Sequence, residues 1–259
     1  HQDAWYHGGW SADIARAVRS LWVSKWQRTK LLTSVGLKAD DDIVIDDRFG
    51  LVCGDAIPES ATTAPFLPGR DPYACAYLSS PLRGLDRLLD VWPQITEAHP
   101  QATLNLYYGW ETTPSRFKAI RERIMTLAAV TKGVKWHGRT SQVELERILT
   151  SMGVWVYPCL FLEGWCIAGV RATAAGLVPV YRKTGAMEEV QIPSPYAIPD
   201  IDWDKGGGSE AFVEATIKAI QASVDGTWDR EAARAWAVQK TWPAVAKAIV
   251  ADIERRGGK

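Results

Sequence analysis

Apolar and polar positions change period repeatedly along this chain, and the alternation predicts its architecture. Short apolar runs occur in "YACAYLSS" (73–80), "ATLNLYYG" (102–109), "GVKWHG" (133–138), "GVWVYPC" (153–159) and "LVPVYR" (177–182). Runs of this length, rich in β-branched and aromatic residues, read as strands buried on both faces. Between them the spacing becomes helical, in "GLDRLLDVWPQITEAH" (84–99), 114–131, "SQVELERILTSM" (141–152) and "GWCIAGVRATAAG" (164–176). Pro93 is expected to kink or break the first of these helices. Strand alternating with helix is the signature of a parallel sheet covered on both sides. The expectation is an α/β fold, a Rossmann-like doubly wound parallel sheet, from about residue 62 onward.

The flanks are less regular. Residues 11–32 show helical spacing with Ser11 as a candidate N-cap, and "DIVIDDRFGLVCG" (42–54) alternates like a strand followed by a loop. "PESATTAPFLPGRDP" (58–72) is rich in Pro, Ser and Thr and reads as a linker. Helices are expected at 209–223 and 229–256, the second in two parts around Pro243.

Composition narrows the function classes. Lys plus Arg and Asp plus Glu both total 30 in 259 residues, so no global field favours a nucleic acid or an acidic surface. A local exception is 116–139, where Arg116, Lys118, Arg121, Arg123, Lys132, Lys135 and Arg139 face the single acid Glu122. Such a run is ordinarily a solvated helix face, and its sharper reading is contact with a polyanion such as DNA or a lipid surface. Cys53, Cys75, Cys159 and Cys166 show no C-x-x-C spacing, which suggests free thiols in a reducing, cytoplasmic setting. No apolar run approaches membrane-spanning length. The four histidines form no metal-ligand pattern. Asp-x-Asp at 40–42, 200–202 and 202–204 reads as acidic loops, and the misplaced Gly argues against a calcium loop.

In a doubly wound sheet, ligands sit outside the carboxyl ends of the strands. The loops there, 79–84, 109–115, 137–141, 159–166 and 183–189, are rich in glycine, small hydroxyls and arginine. That set suits an anionic ligand bearing hydroxyls. Glu163-Gly164-Trp165-Cys166-Ile167 stands out, because Gly164 permits close backbone approach and the following helix start offers free N–H groups. A diphosphate fits such a start without a metal. Trp110 and Trp165 are loop aromatics that either pack or stack on a ligand.

"VYPCLFLEGWCIAGVRATAAGLVPVYRKTGAMEEV" (156–190) resembles the donor-site segment of the GT-B glycosyltransferases of family 4. Upstream, "YLSSPLRGLDRLLDVWPQITEAHPQATLNLYYG" and "VKWHGRTSQVELERILTSMGVWVYP" resemble earlier units of that donor domain. "RSLWVSKWQRTKLL" and "IVIDDRFGL" resemble the last part of the acceptor domain. The resemblance implies a short or truncated acceptor-side region at 1–60, a donor-binding domain at 61–240 and a C-terminal helix at 241–259. It implies a retaining, metal-independent transferase with no cofactor, using a UDP- or GDP-linked sugar as substrate and an unidentified glycan, lipid, protein or nucleic-acid acceptor.

Carried over by position, the resemblance implies that Arg83-Gly84 hold the donor diphosphate, with Ser79 or Ser80 replacing an earlier arginine. His137, Gly138 and Arg139 lie in the loop that meets the nucleobase, and Glu163 faces the transferred sugar. Gly164, Trp165, Cys166 and Ile167 form the helix start. Arg171, eight positions after Glu163, stands where the family has a second Glu that grips ribose. A guanidinium cannot hold a diol as a carboxylate does. Arg171 is left with three options: pairing with Glu163, touching a phosphate, or marking a site that lost the usual donor. Both side chains are expected to face one cleft, Glu163 towards the sugar and Arg171 towards the nucleotide. His1 is a weak counterpart of an acceptor-domain histidine. The alternatives are a non-catalytic sugar-nucleotide or glycan-binding module, or another GT-B enzyme such as a sugar-nucleotide epimerase.

Overall fold

A computed structural model describes residues 20–41, 44, 50–110 and 114–257. The readings that concern Ser11, His1 and the loop positions 111–113 fall outside the described residues. The first described unit is small. Strand β1 (Ser20–Trp22) pairs in parallel with β2 (Gly50–Val52), and helix α1 (Lys25–Ser34) packs beside them. Trp22, Leu31, Leu32, Leu37 and Val44 form its apolar cluster.

This corrects the helix expected over 11–32. Within its described part, residues 20–22 are a strand, and the helix starts only after Ser24, whose side chain accepts from the Gln27 amide. Ser20 and Trp22 point inward and Leu21 outward, a period of two hidden inside a helical-looking window. Of the stretch 42–54, read as a strand followed by a loop, residues 50–52 form β2, and most of its earlier positions lie outside the described residues.

The main sheet comprises β3 (Asp71–Tyr77), β4 (Thr103–Leu106), β5 (Val134–Trp136), β6 (Met152–Tyr157) and β7 (Val178–Tyr181). All pair in parallel, in the order β5-β4-β3-β6-β7. This is the doubly wound α/β sheet that the alternation predicts. Helices α3 (Leu85–Ala98) and α4 (Lys118–Val130) follow β3 and β4; α5 (Gln142–Leu149) and α6 (Ile167–Ala174) precede β6 and β7. A helical turn, α2 (Ser60–Thr63), lies against α5 and α6. After β7 come the turn α7 (Met187–Val190), then α8 (Gly208–Asp225), α9 (Arg230–Val238) and α10 (Trp242–Gly257).

Every residue of β6 is buried, because helices cover the sheet on both sides. Trp92, Trp155, Tyr77, Tyr157, Tyr181 and Phe212 are the bulkiest fully buried side chains. Helix α3 runs unbroken through Pro93. Its buried Leu88, Leu89, Val91, Trp92 and Ile95 anchor it on both sides of the proline, which outweighs a cost of about 3 kcal/mol for a proline in a helix interior. Pro93 itself is exposed. The break in the last helical stretch falls before Pro243, which sits in the first turn of α10. The stretch 58–72, read as a linker, packs on the body: the Ser60 hydroxyl donates to Glu146 at 2.9 Å, and Ala61 and Thr62 are buried.

Candidate functional site

The sheet changes direction between β3 and β6, its topological switch point. From β3 the chain crosses to α3, and from β6 to α6, on opposite faces, leaving a crevice at the carboxyl ends of two neighbouring strands. Two loops meet there. The first ends in a 3₁₀ turn, Pro81–Arg83, followed by Gly84 in the left-handed conformation (φ 100°) that starts α3. A Cβ on Gly84 would also come 3.3 Å from the Leu160 side chain, so the second loop is packed against it.

That second loop carries Glu163, which is only 3% exposed. Arg83 Nη1 donates to Glu163 Oε1, and the Tyr157 hydroxyl donates to the same oxygen at 2.5 Å. Arg83 Nη1 also lies 3.4 Å from the Tyr157 oxygen, and its guanidinium carbon stands 4.5 Å over the Phe161 ring. Burial alone would weaken the Arg83 cation, but the Tyr157 oxygen and the Glu163 carboxylate raise its pKa above the ordinary arginine value. It therefore stays charged.

The backbone fixes this arrangement. The Glu163 carbonyl accepts from the Ala186 amide at 2.7 Å, and Gly185 lies so close that a Cβ there would sit 2.5 Å from the same carbonyl oxygen. Cys159, two residues after β6, has a positive φ of 32°, unusual for a side-chain-bearing residue, and its Sγ donates to the Phe161 carbonyl at 3.0 Å. Burial pushes its thiol up to about 11, so it is a packed thiol rather than a nucleophile. Cys166, at the start of α6, is likewise buried and pushed well above the usual thiol range. No side chain caps the α6 start, and the Gly169 and Val170 amides both reach the Cys166 carbonyl.

The remaining predicted residues take varied places. Ser79 is buried and Ser80 half-buried in the Arg83 loop; the Ser80 carbonyl accepts from the Tyr77 hydroxyl at 2.9 Å. His137 stacks flat on Tyr107 with ring centroids 4.5 Å apart, and its Nε2 lies 3.0 Å from Asn105 Oδ1. Burial and then Lys135 lower its pKa, which keeps the imidazole neutral near pH 7. Gly138 has φ 74° with open space around it, and Arg139 is exposed. Trp165 and Ile167 pack with Ile57, Val170 and Ala237 instead of lining open space. Trp165 also abuts Gly54 and carries the Lys240 ammonium 5.5 Å from its ring. Gly164 lies beside Gln27 of α1. Trp110 is buried and stacks on Trp136 at 6.0 Å.

Arg171 does not pair with Glu163. Its Nε approaches Glu146 Oε1 at 3.8 Å, an ionic contact beyond hydrogen-bond range, and Nη2 donates to Gln142 Oε1 at 3.3 Å, both on α5. Glu146 Oε2 accepts from Ser60 at 2.9 Å, so one buried acid ties α2, α5 and α6. Helical geometry explains the choice: Arg171 lies in the second turn of α6, on the side facing α5 and α2. Sequence reasoning missed Glu146, and it missed Tyr157. The available signal for Tyr157 was a hydroxyl-bearing residue at the last position of the strand that feeds the Glu163 loop.

The acidic motifs are committed to local bonds. Asp202 Oδ1 accepts from the Asp204 and Lys205 amides, Asp204 pairs with Arg87 at 2.8 Å and Asp200 with Arg182 at 2.6 Å. Along 116–139, Arg123 pairs with Asp90 and Lys118 with Glu122, while Arg121 lies over Trp110. Among the described residues no helix is long and apolar enough to cross a membrane.

The pattern that defines the glycosyl transferases group 1 matches residues 73–221, a span that runs from within β3 past β7 and includes both loops of the crevice. The chain belongs to that family. Solved structures of GT-B glycosyltransferases share the fold. Sucrose-phosphate synthase from Thermosynechococcus elongatus superposes with a TM-score of 0.67 at 15% identity, covering 93% of this chain and 58% of that one. HepE of Anabaena, solved with UDP and glucose, gives 0.66 at 16% identity, over 95% of this chain and 65% of HepE. A glycosyltransferase from Rickettsia africae gives 0.70 at 10% identity, over 98% and 67%. This chain thus spans under two thirds of the length of the first two. No curated protein matches the sequence.

Proposed function

We propose that this chain carries the donor-binding half of a family-4, retaining glycosyltransferase, which moves a sugar from a UDP- or GDP-linked donor to an acceptor without a metal ion. In this reading residues 61–240 bind the donor, 1–60 are acceptor-side and 241–259 close the chain. The observation that carries it is the Arg83–Glu163 pair at the switch point. Arg83 uses Nη1 on Glu163 and Tyr157; its Nε and Nη2 have no partner among the described residues, and its side chain is 34% exposed. A guanidinium anchored by one nitrogen and open at the others is placed to hold a diphosphate. The uncapped α6 start adds oriented amides for the same charge. As the sugar–phosphate bond lengthens, negative charge grows on the diphosphate, and these donors stabilise it without rearranging. Ser79, Ser80 and Gly84 shape the phosphate side; His137, Gly138 and Arg139 border the base. The basic stretch 116–139 is a secondary candidate for contact with a polyanionic acceptor.

Calorimetry with UDP, GDP and ADP in excess chelator tests the reading. At least one is expected to bind. Absence of binding by all three would sink it and leave only the fold.

A further inference from the structure

Two donors converge on one oxygen of Glu163. Arg83 Nη1 and the Tyr157 hydroxyl both fall on Oε1, and Oε2 receives no hydrogen bond among the described residues. The Glu163 side chain keeps 4% of its surface exposed, and Oε2 is not sealed from solvent. Tyr157 is itself immobilised. It is fully buried, its ring stacks on Trp155 at 5.4 Å and meets Tyr77 at 6.0 Å, and its backbone is in register with Tyr181 of β7. Burial holds the phenol far from ionisation, so it donates and does not compete for the charge.

We infer that Tyr157 is a positioning residue, whose hydroxyl locks Glu163 through Oε1 so that Oε2 presents a fixed acceptor to a sugar hydroxyl of the donor. This deepens, and rests on, the proposed transfer reading. Arg83 alone cannot do this work well. A flexible guanidinium that also holds the diphosphate would drag the carboxylate with it whenever the phosphate shifts. A hydroxyl on the rigid end of β6 supplies a second donor that does not move, and two donors from fixed directions hold Oε1 in place and, through the in-plane preference of its lone pairs, orient the carboxylate. Tyr157 also shares Oε1 with Arg83 and so leaves the other guanidinium nitrogens free.

The test compares affinities for UDP and UDP-glucose, and for GDP and GDP-mannose, in the wild type, Tyr157→Phe and Glu163→Gln, with thermal unfolding recorded for each. Tyr157→Phe keeps both ring contacts and removes only the hydroxyl. It should leave nucleoside diphosphate affinity within about twofold and weaken the preferred sugar nucleotide about five- to tenfold, the scale of one net hydrogen bond lost. Glu163→Gln should weaken it at least as much, and the double variant should add little to Glu163→Gln. Equal losses for the sugar nucleotide and the bare diphosphate, or no loss in Tyr157→Phe, would overturn the role of Tyr157 while the transfer reading stands. A losses-add result in the double variant would also overturn it. If the wild type binds none of the four ligands, the transfer reading fails and the inference falls with it.

Discussion

Arg83 meets Glu163 and Tyr157 through one nitrogen, and that detail decides what its removal does. Arg83→Ala deletes the proposed phosphate donor and leaves a buried carboxylate with Tyr157 as its remaining side-chain partner. The expected loss of nucleoside diphosphate affinity is about 1.5–3 kcal/mol, while the nucleoside alone is bound almost unchanged. The protein should also unfold at lower temperature, since a buried acid has lost its cation. Adding Glu163→Gln removes that stranded charge, so it should restore part of the stability without restoring the affinity. Calorimetry and thermal unfolding on the two variants separate the roles, and a rescue of both would mean that Arg83 acts only on the fold. The pairing of residues 83 and 163 was foreseeable only in part. The motif "LEGWCIAG" singled out Glu163 and "PLRG" singled out Arg83, but their direct contact depends on β3 and β6 being neighbours, which no local pattern encodes.

At the level of elements, the sequence periods served well where an element buries a whole face and poorly where charges decide. The five strands and the helices between them emerge from apolar runs because each must be covered on both sides. Glu146 shows the limit. In "VELERIL" it reads as one more polar position of a surface helix, yet it is 4% exposed and bound to Ser60 and Arg171. Burial of that acid arises from α2 lying across α5, a contact that the Pro- and Ser-rich stretch 58–72 does not announce. The same network decides what Arg171→Glu does to stability. A glutamate at that position would stand beside Glu146 in a dry setting and break the pair. A destabilisation of roughly 3–5 kcal/mol is expected, measured by denaturant unfolding. Arg171→Met should cost less than Arg171→Glu, because it removes the cation without adding a second anion. Equal stability of Arg171→Glu and wild type would show that the clasp contributes nothing.

For the whole molecule, the question is what holds the small unit of β1, β2 and α1 to the main sheet. Glu189, on α7 beside the Glu163 loop, accepts from the Lys25 amide at 2.7 Å and from the Trp26 amide at 3.0 Å. Ser24 takes the next donor, the Gln27 amide, at 3.0 Å, and the Ser24 carbonyl takes that of Arg28. The orphan amides of Lys25, Trp26 and Gln27 at the α1 start are thus satisfied, two of the three by a residue more than a hundred and sixty positions away, and the Arg28 amide closes the first intrahelical bond. Gln27 beside Gly164 and Trp165 against Gly54 continue the same seam. The seam therefore touches the loop that positions Glu163, and it is built largely from contacts at the protein surface. A carboxylate at an exposed helix start is worth about 0.3–1 kcal/mol, too little to matter for global unfolding but enough to shift a local opening. Glu189→Ala should raise hydrogen exchange across 24–34 by roughly two- to fivefold, consistent with that energy, while exchange in β3 and β6 stays as in the wild type. Glu189→Gln, which keeps the acceptor oxygen without the charge, should fall between the two. Faster exchange across the whole sheet would mean that Glu189 supports the global fold, and unchanged exchange in α1 would mean that the seam is held by the aromatic and glycine contacts alone.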